Sequence, residues 1–263
     1  MNPSPSRLGF SVLLLAAGLA SGQPQPKAAP EDEGLRLFAR GQYREAAPLL
    51  ETASARSPDR AELARALGLC YLRLRNPAGA RLAFARLFGV PPDSAKARLL
   101  AAKMMMGEEL EEMAEPELQA ALKLDPKLPE VHFLLAEIAI SHGDTDGGIA
   151  DLREEISLNP AFGMAYYRLG DAFTRKDMWD EAVPPLQKAI WLNPYFSSPY
   201  ILLGKAYYHT DRLEFAEGML KRALRMDPNN AGAHYLLANV YRDMGRENDS
   251  RKELDLWRKA NER

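Results

Sequence analysis

The stretch from Gly163 to Phe196, GMAYYRLGDAFTRKDMWDEAVPPLQKAIWLNPYF, decides the fold because its spacing recurs along most of the chain. Its proline belongs to a series spaced 34 residues apart, with no insertion or deletion: Pro58, Pro92, Pro126, Pro160, Pro194 and Pro228. A fixed period of this length is typical of solenoid proteins, in which each repeat packs on its neighbours. The sequence therefore predicts one elongated domain.

Each repeat can be numbered from position 1 to position 34. The seven units begin at Lys27, Ala61, Ala95, Pro129, Gly163, Ser197 and Ala231. Positions 8 and 20 always hold a small residue, and position 24 always holds a large apolar one. Small residues let two helices approach closely while the large ones interlock, and the proline at position 32 ends the second helix. Each unit is therefore predicted to be an antiparallel helix pair.

This pattern resembles the tetratricopeptide repeat over residues 27–263. The residues that carry the resemblance in the fifth unit are Tyr166, Leu169, Gly170, Phe173, Ala182, Leu186, Ala189 and Pro194. The resemblance implies an all-α, right-handed superhelical solenoid of antiparallel helix pairs, with seven units of 34 residues. It also implies that the first helices line a concave groove that holds a peptide or a protein segment.

In this family the first-helix positions 2, 5, 9, 12 and 13 face the groove, and positions 5, 9 and 12 supply the candidate partner-binding residues. In the last four units they give the predicted partner-binding residues: Phe133, Glu137, Ile140, Tyr167, Asp171, Thr174, Ile201, Lys205, Tyr208, Tyr235, Asn239 and Arg242. Large apolar side chains repeated on a face that the stacking leaves open favour an adhesive strip. The alternative is that the residues at position 5 only pack against neighbouring second helices.

The fourth unit departs most from the pattern. Gly148 stands at position 20, and Glu155 stands at position 27, where alanine is expected. A small residue and a carboxylate on a packed face both reduce apolar contact. The second helix of this unit is therefore predicted to be the least well packed.

Candidate chemical groups are few. His132 and His234 both occupy position 4, where other units carry tyrosine, so they are predicted to be packing residues. The run Asp144-x-Asp146-Gly147 resembles the start of a calcium loop, but the sixth place lacks the required glycine, so a turn between helices is the better interpretation. Motifs for nucleophilic catalysis, phosphate binding or zinc binding are absent. We therefore expect no metal site, no cofactor and no enzymatic activity.

Residues 1–22 lie outside the repeat. Arg7 precedes an apolar run over 8–20, and small residues follow it, which is typical of a secretory signal peptide. The run is too short to span a bilayer as a helix. Cleavage after Ala20 or Gly22 is predicted, which leaves a flexible lead-in at 23–29, a solenoid at 30–263 and no integral membrane span in the mature chain.

The composition limits the classes of partner and the cellular compartments that fit this protein. The formal net charge of -2 supplies no bulk field that would attract nucleic acid or an anionic membrane. The single cysteine, Cys70, excludes an intramolecular disulfide and is expected to be a buried apolar residue. Secreted eukaryotic domains commonly carry disulfides, so the bacterial periplasm is favoured among exported locations.

Together these features predict an exported, non-enzymatic scaffold or adaptor that binds a peptide or a partner protein in the concave groove. The alternative is a structural or self-associating subunit of a cell-envelope complex. The identity of the partner does not follow from the repeat pattern.

Overall fold

The computed structural model describes residues 30–262, in which fourteen α-helices and no β-strand occur. The helices are α1 (Pro30–Ala39), α2 (Tyr43–Arg56), α3 (Ala61–Arg73), α4 (Pro77–Leu87), α5 (Ala95–Gly107), α6 (Glu111–Leu124), α7 (Val131–Ser141), α8 (Thr145–Leu158), α9 (Gly163–Arg175), α10 (Trp179–Leu192), α11 (Ser197–His209), α12 (Leu213–Met226), α13 (Ala231–Asp243) and α14 (Glu247–Asn261). The predicted signal peptide and lead-in lie outside the described residues.

Consecutive helices pair as α1/α2 through α13/α14, and each second helix packs on the first helix of the next unit. First helices of neighbouring units also touch one another, as in α1/α3, α9/α11 and α11/α13. No two second helices make a comparable contact in residues 30–262. The first helices therefore form the inner face of the solenoid and the second helices its outer face. The predicted all-α repeat architecture is confirmed.

The contact between positions 8 and 24 holds the two helices of a unit together. A Cβ atom added to Gly170 would lie 2.5 Å from the side chain of Leu186, and one added to Gly68 would lie 2.3 Å from the ring of Phe84. Leu186 and Phe84 are fully buried. The glycines are therefore required because the apolar side chain of the second helix occupies the space of a Cβ, as the sequence pattern predicts.

The turn inside each unit adopts the same backbone conformation. The residue at position 15 has a positive φ in all cases: Gly41, Arg75, Glu109, Gly143, Asp177, Asp211 and Gly245, between 55° and 86°. At Gly143 the amide donates to the carbonyl of Ile140, and the next amide donates to the carbonyl of Ala139. This left-handed residue ends the first helix and satisfies its last carbonyl groups. A shared turn gives every unit the same hairpin.

The fourth unit does not show the predicted loose packing. Glu155 is fully buried, and both of its carboxylate oxygens accept the backbone N–H of Glu130 at 2.9 Å. Gly148 gives room to Ile140, whose Cγ1 would lie 2.5 Å from an added Cβ. The polar group at position 27 therefore has a hydrogen-bond partner at the start of α7, which offsets the cost of burying it.

Candidate partner-binding site

A pocket of about 340 Å³ opens on the inner face between the third, fourth and fifth units. Its lining consists of Met106, Glu111, Glu137, Ile140, Ser141, Arg168, Asp171 and Arg175. Three predicted groove residues, Glu137, Ile140 and Asp171, therefore come together around one cavity. The other five were not among the predicted residues, although four of them also belong to the first helices α5, α7 and α9.

Paired charges form the rim of this pocket. The guanidinium of Arg168 donates to the Glu137 carboxylate and lies 3.9 Å from Asp171, whose Oδ2 is 3.0 Å from Nη2 of Arg175. Ile140, which is half-buried, lines the same pocket. Ion pairs at partly exposed positions contribute little net stability, so they can exchange for charges on a bound partner. The arrangement offers an apolar floor with a polar rim.

A second inner-face cluster lies at the junction of the fifth and sixth units. The Trp179 indole stacks on the His209 imidazole, with the ring centroids 3.9 Å apart and the planes 8° from parallel. The Nζ atom of Lys205 lies 5.3 Å from the Trp179 ring centroid. Burial, followed by the charge of Lys205, lowers the pKa of His209. Of these three residues only Lys205 was predicted. His209 occupies position 13, a groove position from which no candidate was taken, and Trp179 occupies position 17, at the start of the second helix.

A third cluster joins the sixth and seventh units. The hydroxyl of Tyr208 donates to Oδ2 of Asp243 at 2.7 Å, and Nε of Arg242 donates to Oδ1 of the same carboxylate at 3.1 Å. The hydrogen bond to Asp243 raises the pKa of Tyr208 and lowers the pKa of Asp243. The predicted residues Tyr208 and Arg242 therefore share one carboxylate on the inner face, with Asn239 half-buried on the same helix.

The aromatic residues at position 5 are partly occupied by packing. The ring of Phe133 meets Phe162 edge to face at 5.0 Å, and the ring of Tyr167 meets Phe196 in the same way at 4.9 Å. Phe162 and Phe196 both stand at position 34, in the turn to the next unit. Phe133 and Tyr167 therefore take part in packing, although their ring partners lie in the turns and not in the second helices of the alternative stated above.

The other two position-5 side chains differ from each other. Ile201 is half-buried against the core, whereas Tyr235 is 46% exposed, with its ring 5.6 Å from that of Trp257. Thr174 requires a correction, because it is only 4% exposed and its hydroxyl donates to the carbonyl of Asp171. Its side chain caps the backbone of α9 and offers no surface to a partner.

The histidines at position 4 do more than fill space. Three units join their two helices through a base at position 4 and an acid at position 23, in the pairs Arg98–Glu117, His132–Asp151 and His234–Glu253, with distances of 2.6 to 2.8 Å. The sequence interpretation missed these pairs because it compared position 4 between units and not with position 23 of the same unit. A base and an acid 19 residues apart in the register were the available signal.

Neither a metal cluster nor a membrane-spanning helix occurs in the described part of the chain. No group of three or more His, Cys, Asp or Glu side chains there could hold a metal ion. Asp144 accepts the N–H of Gly147 at 2.9 Å and caps α8, which agrees with the interpretation of this run as a turn. Among residues 30–262 no helix is long and apolar enough to cross a bilayer.

These features define a helix-hairpin repeat protein with an open inner face. Family models of the tetratricopeptide repeat match residues 31–95, 133–195, 197–230 and 216–263. The chain belongs to the tetratricopeptide repeat family. Comparison with curated protein sequences gives no match.

Several solved structures share the fold. MamA 41-end from Desulfovibrio magneticus RS-1 is similar with a TM-score of 0.60 and 20% identity, covering 65% of this chain and 96% of that chain. A second MamA structure has a TM-score of 0.57 and 22% identity, with coverage of 61% and 94%. YrrB, described as a TPR protein with an unusual peptide-binding site, has a TM-score of 0.61 and 17% identity, with coverage of 70% and 93%. At these identities the likeness concerns the fold.

Proposed function

We propose that the chain is an exported, non-enzymatic scaffold that binds an extended peptide or a segment of a partner protein along its inner face. The pocket of about 340 Å³ between units three and five carries this proposal. It combines a concave shape, an apolar floor and a polar rim, which are the properties of sites that hold a side chain of a partner. The likeness to YrrB, whose structure is described by its peptide-binding site, adds support.

The pocket indicates how a segment would bind. An apolar side chain of the partner packs on Ile140 and Met106, which are both half-buried. Charged groups of the partner exchange with the ion pair between Arg168 and Glu137 at the rim. Burial of the apolar side chain supplies most of the binding free energy, and the rim charges select the sequence.

Substitution of Ser141 by Trp tests this binding site. Ser141 lies at the pocket, is exposed, ends α7 and donates to the carbonyl of Ile138, so a large side chain there fills the opening without entering the core. Ser157 is the matched control, because it is exposed near the end of α8 and donates to Glu154 in the same way. Peptides are selected from a random library on the full chain, and their affinities are measured by fluorescence anisotropy.

The expected result is a loss of affinity of about tenfold or more for Ser141→Trp and no change for Ser157→Trp, since an obstructed pocket removes the central contacts. Equal affinity of both variants, or a loss only in Ser157→Trp, would contradict inner-face binding. Circular dichroism establishes that both variants keep their helical content.

Export forms a separate part of the proposal and rests on the predicted signal peptide in residues 1–22. Mass spectrometry of the protein recovered from the periplasmic or extracellular fraction tests it. A mature chain that begins at Ser21 or Gln23 is expected. Recovery only of intact chains that begin at Met1 would contradict cleavage.

A second candidate function, self-association, has one observation in its favour. Leu82 and Phe88 in the second unit are 51% and 43% exposed, and Leu82 lines an outer hollow of about 260 Å³ together with Tyr71 and Val90. Exposed apolar patches of this kind occur at protein interfaces. Sedimentation velocity over a concentration series distinguishes the candidates: a dimer that Leu82→Glu dissociates favours self-association, and a monomer at all concentrations excludes it.

A further inference from the structure

The outer face of the last three units carries a distinct row of side chains. Positions 22, 26, 29 and 33 share one face of the second helix and the following turn, because they are spaced three or four residues apart. In units five to seven we call the apolar and basic residues at these positions the outer stripe: Lys188, Trp191, Tyr195, Arg222, Arg225, Lys252, Leu256 and Lys259. All of them except the half-buried Lys188 are exposed.

Over units five to seven these four positions carry a positive charge, whereas over units one to four taken together they carry no net charge. None of its four positions holds an acidic residue in the described part of units five to seven. In units one to four, the same positions hold three basic and three acidic residues: Arg86, Lys123, Lys127, Asp59, Asp93 and Glu154. The net charge of -2 for the whole chain therefore conceals a basic row at these four positions of the C-terminal units.

Most of the stripe cations have no acidic partner. Arg222, Arg225 and Lys259 form no ion pair with any residue in the described range, and Lys252 lies 3.3 Å from Asp249. The Nζ atom of Lys188 lies 3.9 Å from the ring centroid of Trp191. By contrast, the inner-face cations of the pocket are paired with carboxylates. Unpaired cations leave the attraction of the stripe available to an external anionic surface.

The aromatic side chains of the stripe protrude. Trp191 is 71% exposed and Tyr195 is 88% exposed, the two highest values among the exposed large apolar residues. A peptide-binding site encloses its anchors between walls, whereas these rings stand on the outer side of a curved solenoid. Indole and phenol rings with basic neighbours are typical of side chains at the headgroup level of a bilayer.

We propose that the outer stripe docks the protein on the surface of an anionic lipid bilayer. Trp191 and Tyr195 insert at the headgroup level, and the basic side chains contact the lipid phosphates. A hollow of about 280 Å³ lies beside Tyr195 and is lined by Arg222 and Arg225, which places two guanidinium groups where a lipid phosphate would bind. The site is independent of the inner face, so its failure would leave the proposed peptide binding untouched.

Co-sedimentation of the full chain with vesicles tests the docking. Phosphatidylcholine vesicles are compared with vesicles that also contain phosphatidylglycerol, at low and at raised salt. Binding is expected only to the anionic vesicles and is expected to weaken with salt, because screening shortens the range of the attraction. Equal binding to neutral vesicles, or no binding to anionic vesicles at low salt, would overturn the proposal.

Charge reversal locates the contact. The double variant Arg222→Glu, Arg225→Glu is expected to lose about tenfold or more in vesicle affinity, since each basic residue contributes separately near an anionic surface. The matched control Lys123→Glu, Lys127→Glu changes two exposed cations at positions 29 and 33 of the third unit and is expected to lose less than about twofold. All variants keep residues 1–22, so the predicted signal peptide affects their vesicle binding equally. Equal losses of vesicle affinity in the two double variants would therefore contradict docking through the stripe.

Trp191 supplies a direct readout. Insertion moves its indole from water to the headgroup region, so anionic vesicles are expected to shift the tryptophan emission to shorter wavelength. Trp191→Phe is expected to abolish most of this shift while vesicle binding falls only a few-fold, because phenylalanine remains apolar. An unchanged shift in Trp191→Phe would contradict insertion at this residue. Binding of the protein to poly-glutamate, together with no affinity for anionic vesicles, would overturn the proposal and indicate an acidic protein partner instead.

Discussion

Nδ1 of His234 lies 2.6 Å from Oε2 of Glu253, and the other ring nitrogen of His234 lies 3.0 Å from the carbonyl oxygen of Pro228. The imidazole therefore joins both helices of the seventh unit to the turn that precedes them. In the sixth unit the Tyr200 hydroxyl donates to the carbonyl of Pro194, in the same register. Position 4 thus fixes each of these units to the proline turn before it, through different chemistry.

Removal of this carboxylate is expected to destabilise the C-terminal units. Glu253→Ala leaves a ring nitrogen of the 5% exposed His234 without its acceptor, which lowers the free energy of unfolding by about 1–3 kcal/mol. Asp255→Ala is the control, because that carboxylate pairs with Arg258 at the surface and its loss costs less than about 0.5 kcal/mol. Urea denaturation measures both, and equal effects would contradict a special role for the His234–Glu253 pair.

The left-handed turn predicts opposite effects for two glycine substitutions. Gly143→Ala places a Cβ at φ 86° and lowers the free energy of unfolding by about 1 kcal/mol. Gly107→Ala adds a methyl group to open space at the end of α5, where no atom lies within 4 Å of the added Cβ. This change is expected to raise the free energy of unfolding by up to about 1 kcal/mol. Thermal unfolding compares the two variants. Destabilisation by Gly107→Ala but not by Gly143→Ala would contradict the explanation by backbone conformation.

The environment of His209, which stacks on Trp179 on the inner face, predicts the direction of its pKa shift. Burial and then the Lys205 charge lower the pKa of His209, so the pKa that NMR titration measures for His209 is expected to lie below the ordinary value of histidine. Lys205→Met removes the like charge and is expected to raise the pKa of His209. A pKa that stays unchanged in Lys205→Met would exclude Lys205 as a cause.

The same titration affects stability with a defined sign. Because the folded pKa of His209 lies below the unfolded one, the unfolded chain takes up the proton first as the pH falls. The contribution of His209 is therefore present above the unfolded pKa and is lost as the pH decreases through the folded value. His209→Gln is expected to flatten this part of the stability profile, measured by urea denaturation at several pH values.

Cys70 is expected to be unreactive in the folded protein. It is fully buried, as its place in the repeat predicts, and burial raises the pKa of its thiol to about 11. Thiolate is the reactive form, so labelling by a water-soluble disulfide reagent at neutral pH requires opening of the second unit. The labelling rate should rise with urea along the unfolding transition. Rapid labelling without urea would show that this unit opens under native conditions.

The parts of the fold that follow from the sequence are those that every unit repeats. Gly170 and Leu186 could be paired in advance because the same small and large residues alternate at the same positions in all units. The lack of space at Gly170, where an added Cβ would lie 2.5 Å from the Leu186 side chain, agrees with this pairing. Because the unit is repeated, the residues at one position can be compared between units, which a single copy would not allow.

The inner-face clusters could be predicted only in part. Glu137, Ile140 and Asp171 follow from the register, but Trp179 stacks on His209 across a unit boundary, and such pairs depend on the rotation between neighbouring units. Glu155 illustrates the same limit, since its hydrogen bond to the backbone of Glu130 depends on how α8 lies against the start of α7. Residue type and position do not specify these long-range pairs.

The contacts between helices have a mechanical consequence. In the described part of the chain, each helix makes its substantial contacts with helices one or two places away in sequence, and no substantial contact ties one end of the array to the other. A small rotation at each boundary is therefore opposed only by local packing, and the rotations accumulate along the chain. We therefore expect the array to bend and extend elastically, so that a partner held across several units on the inner face would set its curvature and resist its extension.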